Sequence, residues 1–222
     1  MRGWIRLRYL VILGLLLPLL GGCGGGGSHP PIVVEPGLVG IDDRPSVSVT
    51  APELTIEYAL PGIAGTFVAT LLSDQPTDGD IAFDPVRGSY TITQGPDTLL
   101  FGIDRLAPNE PEYRAFLDFP LDGTTGQAVI PLDATILSAS LTVFVNFVDF
   151  ATTVPVLLDL VRYSVSSGLV PTDYSSAPLA VRAFDIFNTD AGRDVVINVT
   201  PLMAEAQFRA LADFQLRFLL GP

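Results

Sequence analysis

Residues 136 to 147 read Ile136-Leu137-Ser138-Ala139-Ser140-Leu141-Thr142-Val143-Phe144-Val145-Asn146-Phe147. Leu137, Ala139, Leu141, Val143, Val145 and Phe147 fall on one side of an extended chain; Ser138, Ser140, Thr142 and Asn146 fall on the other. A period of two belongs to a strand with one face on a core and the other toward water. Val195, Ile197 and Val199 repeat the pattern, as do Phe214, Leu216, Phe218 and Leu220.

Around this stretch, 19 prolines and 21 glycines punctuate short runs rich in Val, Ile, Leu, Phe and Thr, as in an all-β sandwich or barrel. The expected strands are Glu53–Ala59, Thr66–Leu72, Ser89–Thr93, Thr98–Ile103, Tyr113–Leu121, Ile136–Phe147, Val154–Ser164, Val181–Phe187, Val195–Thr200 and Phe214–Leu220. One helix is expected over Leu202–Ala212, with Thr200 as its cap, Pro201 in the first turn, and Leu202, Ala206, Phe208 and Leu211 as its apolar side. The expected fold is an all-β, jelly-roll-like antiparallel sandwich with one short helix near the C-terminus. Leu141, Val143, Phe116 and Phe218 belong in its core, and Glu53–Ala59 is either a further strand of the same sandwich or part of a stalk.

The chain opens differently. Arg2, Arg6 and Arg8 precede an apolar run from Tyr9 to Leu20, too short to span a bilayer comfortably and interrupted by Pro18. This order is that of a secretory signal. Its end, Leu20-Gly21-Gly22-Cys23, resembles the lipobox read by bacterial lipoprotein signal peptidase, with Gly21 a less usual choice at its position. Cys23 is the only cysteine, and lipidation accounts for an unpaired cysteine in an exported chain. Residues 1–22 therefore read as a signal peptide, and 23–36 as a lipidated cysteine with a Gly/Pro tether reaching roughly 20 Å. Residues 37–222 read as one domain. Gly24 is not the aspartate that retains similar lipoproteins in the inner membrane. The expected place is thus the outer membrane, on its periplasmic or cell-surface face, with the lipid as the contact to the membrane.

All 12 basic residues are arginine, and three of them lie in the leader, whereas all 24 acidic residues lie beyond it. The mature net charge is then about −15. Such a surface repels phosphate backbones, so nucleic acid is not an expected partner. Acidic polysaccharides are disfavoured for the same reason. The single histidine, His29, falls in the tether, so the folded part carries neither His nor Cys. That excludes Ser-His-Asp and Cys-His catalysis and the usual zinc sites there. Carboxylate chemistry of the glycosidase kind and calcium binding remain. Asp74, Asp78, Asp80 and Asp84 are the calcium candidates, with a polar turn as the alternative. Glu110 and Glu112 read as a solvated loop. Asp118 or Asp159 reads as a buried partner of Arg114 or Arg162, in a structural ion pair rather than a catalytic role.

Four segments in order carry a family resemblance. They are the strand pair from Ser89 to Ile103, Tyr113-Arg114-Ala115-Phe116-Leu117-Asp118-Phe119, Ala134-Thr135-Ile136-Leu137-Ser138-Ala139-Ser140-Leu141, and the ending from Asp194 through Pro201 to Asp213–Leu220. Over about 89–220 the chain resembles the DNRLRE or disaggregatase-related domains, jelly-roll sandwiches of carbohydrate-binding-module type. It departs from them where Gly168 to Tyr174 replaces a Trp-rich segment, and its only tryptophan, Trp4, lies in the leader. The resemblance implies a non-catalytic module binding glycan or protein. Sugar stacking would then fall to tyrosines, with Tyr90, Tyr163 and Tyr174 the candidates. The alternatives are a structural or assembly lipoprotein of the envelope with a protein partner and, third, a carboxylate-dependent glycan-active enzyme. No cofactor is expected apart from the calcium candidate.

Overall fold

The computed structural model describes residues 36–42, 51–95 and 97–222. The leader, Cys23 and the tether up to residue 35 lie outside them. The strands are β1 (Leu38–Ile41), β2 (Glu53–Ala59), β3 (Phe67–Leu72), β4 (Gly79–Asp84), β5 (Ser89–Gln94), β6 (Leu99–Ile103), β7 (Glu112–Pro120), β8 (Thr135–Asp149), β9 (Thr153–Val161), β10 (Ala180–Phe187), β11 (Arg193–Asn198) and β12 (Asp213–Leu220). A helix, α1, spans Thr200–Phe208. The fold is all-β and antiparallel, with one short helix, as its alternating sequence requires.

The long strand β8 is the spine. One edge pairs with β2 and then with β1, the other with β11, and β3 lies outside β2. In the second layer Ala115 of β7 stands opposite both Phe218 of β12 and Asp80 of β4. β12 and β4 therefore flank β7, which sets the order β5-β4-β7-β12-β9-β10. β1 and β6 link the layers, since β1 pairs with β8 on one side and β6 on the other, and β6 reaches β7. The hydrogen bonding is thus continuous around a curled sheet.

Alternate residues fill the space between the layers. Leu54 and Ile56 of β2 and Leu141, Val143 and Val145 of β8 meet Leu117 and Phe119 of β7 and Phe214, Leu216 and Phe218 of β12, all fully buried. Each such side chain contributes roughly 1.5–3 kcal/mol by leaving water. The α1 residues Leu202, Met203 and Ala206 close one end of this core.

The alternation of β8 is not unbroken. The partners of Glu57 and Tyr58 are Ser138 and Ile136, so Leu137 is bulged. The partners of Gly40 and Ile41 are Phe147 and Val145, so a second irregularity falls at Asn146. Each bulge shifts the period by one residue. Ile136 and Val148 consequently pack against the core in place of Leu137, which is 45% exposed, and Phe147. The Phe147 ring lies over Gly40, where a Cβ would come within 2.4 Å of it. The glycine is what lets the ring sit there.

Other expectations change as well. β1 and β4 were not expected as strands: β1 is short, and Gly79, Asp80 and Asp84 are poor strand formers. Helix α1 begins at Thr200 and ends at Phe208, short of Ala212. The Thr200 hydroxyl does not cap it; it accepts from the Ala139 N–H and donates to the Ala139 carbonyl. Phe208, expected on the apolar side, is 84% exposed, while Leu202, Ala206 and Leu211 are buried. Asp159 pairs with Arg217 rather than with Arg114 or Arg162, and Arg114 pairs with Glu112.

Part of the outer face of the second layer is covered. The connection 162–179 between β9 and β10, with a 3-10 turn at Pro171–Ser175, lies against it as a strap. Tyr163, Leu169 and Tyr174 of the strap form a second apolar cluster with Ile81, Phe116 and Val161.

Candidate functional site

Register builds the site. Across β5, β4 and β7, Tyr90 stands opposite Phe83, and Phe83 opposite Glu112, so the three form one row on the strap-bearing face. The next row is Ile92, Ile81 and Arg114. Tyr174 descends from the strap onto the first row, its ring centroid 5.8 Å from that of Phe83 and 5.3 Å from that of Tyr90. Phe83 and Tyr90 are themselves 5.1 Å apart. Arg114 lies over the Tyr174 ring at 3.9 Å, donates to the Tyr174 carbonyl at 2.6 Å, and is held by Glu112 at 3.0 Å. A guanidinium stacked on a ring and paired with a carboxylate is a rigid support.

Beside this row opens a cleft of about 550 Å³. Phe83, Pro85 and Ile103 line it, with Asn109, Glu110 and Glu112 as its polar groups. The Asn109 amide donates to Asp84 at 2.7 Å, and Asp84 also accepts from the backbone N–H groups of Val86 and Arg87. These donors, first the Arg87 N–H, hold the Asp84 carboxyl below its ordinary range. Glu110 sits at φ 46°, a left-handed conformation that costs a non-glycine residue energy and recurs at functional sites. The loop that carries it is fastened by the Glu110 N–H donating to the Ala107 carbonyl.

The tyrosine candidates divide. Tyr90 is 38% exposed and presents part of its ring to solvent. Tyr174 joins the same cluster but is buried under Arg114 and Tyr90. Tyr163, at the start of the strap, is buried against the sheet, edge-on to Phe116, and offers no face to a ligand.

The calcium candidates do not converge. Only Asp80 and Asp84 lie on β4, at opposite ends of it, and the four carboxyls go to three places. Asp78 accepts from the Asp118 N–H at 2.7 Å, and the Thr77 hydroxyl bridges Asp74 and Asp118. Asp80 accepts from the Leu100 N–H on the core side, and Asp84 closes the β4–β5 turn. Among the described residues no three His, Cys, Asp or Glu side chains are grouped to hold a metal ion.

Burial pushes the Asp78 carboxyl up to about 7, and the neighbouring Asp118 and Asp74 add to the effect. Asp118 is pushed to about 6, again chiefly by burial.

Comparison with models of known families, with curated proteins and with solved structures finds no match. The likeness to DNRLRE domains therefore stands on the strand motifs alone. Sequence reasoning singled out Tyr90 and Tyr174 but missed Phe83, and took Glu110 and Glu112 for solvated loop. The Ile81-Ala82-Phe83 alternation was present, hidden in a segment rich in Asp. Only the register of β4 against β5 and β7 places Phe83 beside Tyr90 and Glu112.

Proposed function

We propose that this protein is a lipid-anchored, non-catalytic β-sandwich module of the bacterial envelope that binds glycan in the cleft beside Phe83. The observation that carries the reading is Phe83 in the cleft lining beside Asn109, Glu110 and Glu112, with the partly exposed Tyr90 ring packed on it at 5.1 Å. Sugar rings present CH-rich faces that stack on aromatic rings, while their hydroxyls need fixed donors and acceptors at the rim. Asn109 supplies a donor held in place by Asp84, and the glutamates supply acceptors. The acidic rim favours a neutral or amino sugar over a uronic or sulfated one. No metal enters the proposal.

Titration with neutral and amino-sugar oligosaccharides tests it. Tyr90→Ala is expected to weaken binding at least about tenfold, or ~1.4 kcal/mol, with the melting temperature little changed because the ring is partly exposed. Unaltered affinity in this variant, or no sugar bound by the native protein, overturns the cleft as the site.

The anchor is tested separately. Cys23→Ser removes the thiol that carries the lipid, so the variant is expected in the soluble fraction or as a longer unprocessed form. Membrane association at mature size would refute lipidation at Cys23.

A further inference from the structure

At the pole where α1 ends, a hollow of about 330 Å³ opens between the β7–β8 connection and the start of β12. Leu121, Val129, Ile130, Leu132 and Leu211 form its apolar lining, and Asp122 stands at it with a carboxylate. The hollow is built before anything enters it. The Leu121 N–H donates to the Ala212 carbonyl at 2.8 Å and the Ile130 N–H to the Leu121 carbonyl at 2.9 Å. The Gln207 side chain ties α1 to the Pro131 carbonyl at 2.6 Å. Val129 and Leu132 remain more than half exposed.

The same pole carries an unburied aromatic ring. Phe208 is the last residue of α1, sits in sequence between Gln207 and Ala210 of the hollow, and is 84% exposed. Arg209 follows it, paired with Glu205 at the surface. An apolar hollow with a carboxylate beside it fits an apolar side chain adjoining a base. Phe208-Arg209 is such a pair, and it lies next to the hollow itself. A patch holding both a knob and its complement is self-complementary under a two-fold axis.

We propose that this pole is a self-association surface, in which Phe208 of each copy enters the hollow of a second copy and Arg209 meets Asp122 there. The Asp122 carboxyl is held below its ordinary range by the Thr124 N–H, so it stays charged as such a contact needs.

Two buried Phe rings remove about 400 Å² of surface, well below the 1,200 Å² of a stable interface. The dimer is therefore weak in dilute solution and populated where copies are confined together, and it would make each assembly bivalent for a ligand. The inference goes beyond the glycan reading and does not rest on it.

The test uses the full-length protein in detergent and in cells. A photoreactive phenylalanine analogue at position 208 is expected to cross-link to residues 121–132 of a second copy. In sedimentation velocity over a concentration series, Phe208→Asp is expected to weaken dimerisation at least about tenfold with an unchanged melting temperature. Arg209→Asp should weaken it too, and adding Asp122→Arg to Arg209→Asp should restore it, a rescue that a merely structural role would not give. A monomer at all concentrations overturns the proposal. So does a dimer insensitive to Phe208→Asp, or cross-linking only to lipid or to a different protein. Tyr90→Ala leaves the dimer intact and Phe208→Asp leaves the glycan affinity of a single module intact, so the two proposals fail separately.

Discussion

Replacing Arg217 by leucine is expected to destabilise the fold by about 3–5 kcal/mol and to loosen the strap from the sheet. Arg217 is almost wholly buried, on the face of β12 opposite Phe214, Leu216 and Phe218. It pairs with the equally buried Asp159 of β9, directly across the ladder. Its remaining nitrogen, Nη1, donates to the carbonyls of Asp173 and Tyr174, each at 3.0 Å, and to the Ser176 hydroxyl at 3.2 Å. One guanidinium thus neutralises a buried carboxylate and fastens the strap. Leucine would leave the Asp159 charge and the strap carbonyls without that donor, in a place where water does not easily replace it.

Urea denaturation reads the global loss, and hydrogen exchange at Val170 to Leu179 reads the local one. Adding Asp159→Leu to Arg217→Leu should recover part of the global stability, since the uncompensated charge goes. It should not restore full protection in the strap, which still lacks the Arg217 donor shared by the Asp173 and Tyr174 carbonyls and the Ser176 hydroxyl. A loss below about 1 kcal/mol would show that the pair behaves as a surface ion pair and that the strap is held by other contacts. Tyr174 rides on this strap, so the same variant should also disturb the ring cluster of Phe83 and Tyr90.

The hidden position of Arg217 shows where the sequence could be read and where it could not. Period-two alternation in β8 and β12 revealed strands, faces and core residues such as Leu141 and Phe218, because each such choice is local. The same alternation puts Gln215 and Arg217 on the face of β12 away from the core, and Asp159, expected in a buried ion pair, was matched to Arg114 or Arg162 and not to Arg217. That reading misses the pair when a connection between other strands folds back over the face, a long-range event with no local mark. The bulges at Leu137 and Asn146 are equally invisible, for they depend on which residues of β1 and β2 lie alongside. Phe208 was lost for the opposite reason: helical spacing suits it to the buried side, but the helix stops there and the ring has nothing to cover it. At the site, Tyr90 was legible as an aromatic residue on a strand. Phe83 and Glu112 were not, because they become neighbours only through the register of three strands.

Acidic rather than neutral solution is expected to give the most stable protein, with stability falling as pH rises from about 4 to about 7. Asp78 is fully buried; Asp118, also buried, stands opposite Gln215 on β12, and both lie close to Asp74 and the Tyr163 hydroxyl. No arginine is paired with either carboxyl among the described ion pairs. Burial raises Asp78 to about 7 and Asp118 to about 6 in the fold, against 3.8 for an ordinary aspartate. Asp80, buried on the other face, is likewise raised to about 6. Below pH 3.8 both the folded and the unfolded chain hold these protons, and the stabilisation is complete. Between 3.8 and 7 unfolding releases protons, so each step up in pH favours the unfolded chain. Above 7 the carboxyls are ionised in both states and the contribution is gone. At ~1.4 kcal/mol per unit, Asp78 alone accounts for a loss on the order of 4 kcal/mol. Asparagine at position 78 keeps an acceptor for the Asp118 N–H and carries no charge. Asp78→Asn is therefore expected to flatten most of the slope, and at pH 8 to melt higher than the native protein. Melting curves between pH 4 and pH 8 decide the matter. A native melting temperature that is level or rising over this range would mean that Asp78 and Asp118 are ionised in the folded protein and that a counter-charge reaches them. A slope that survives Asp78→Asn would place the titrating group at Asp118 or Asp80, which Asp118→Asn and Asp80→Asn would then separate.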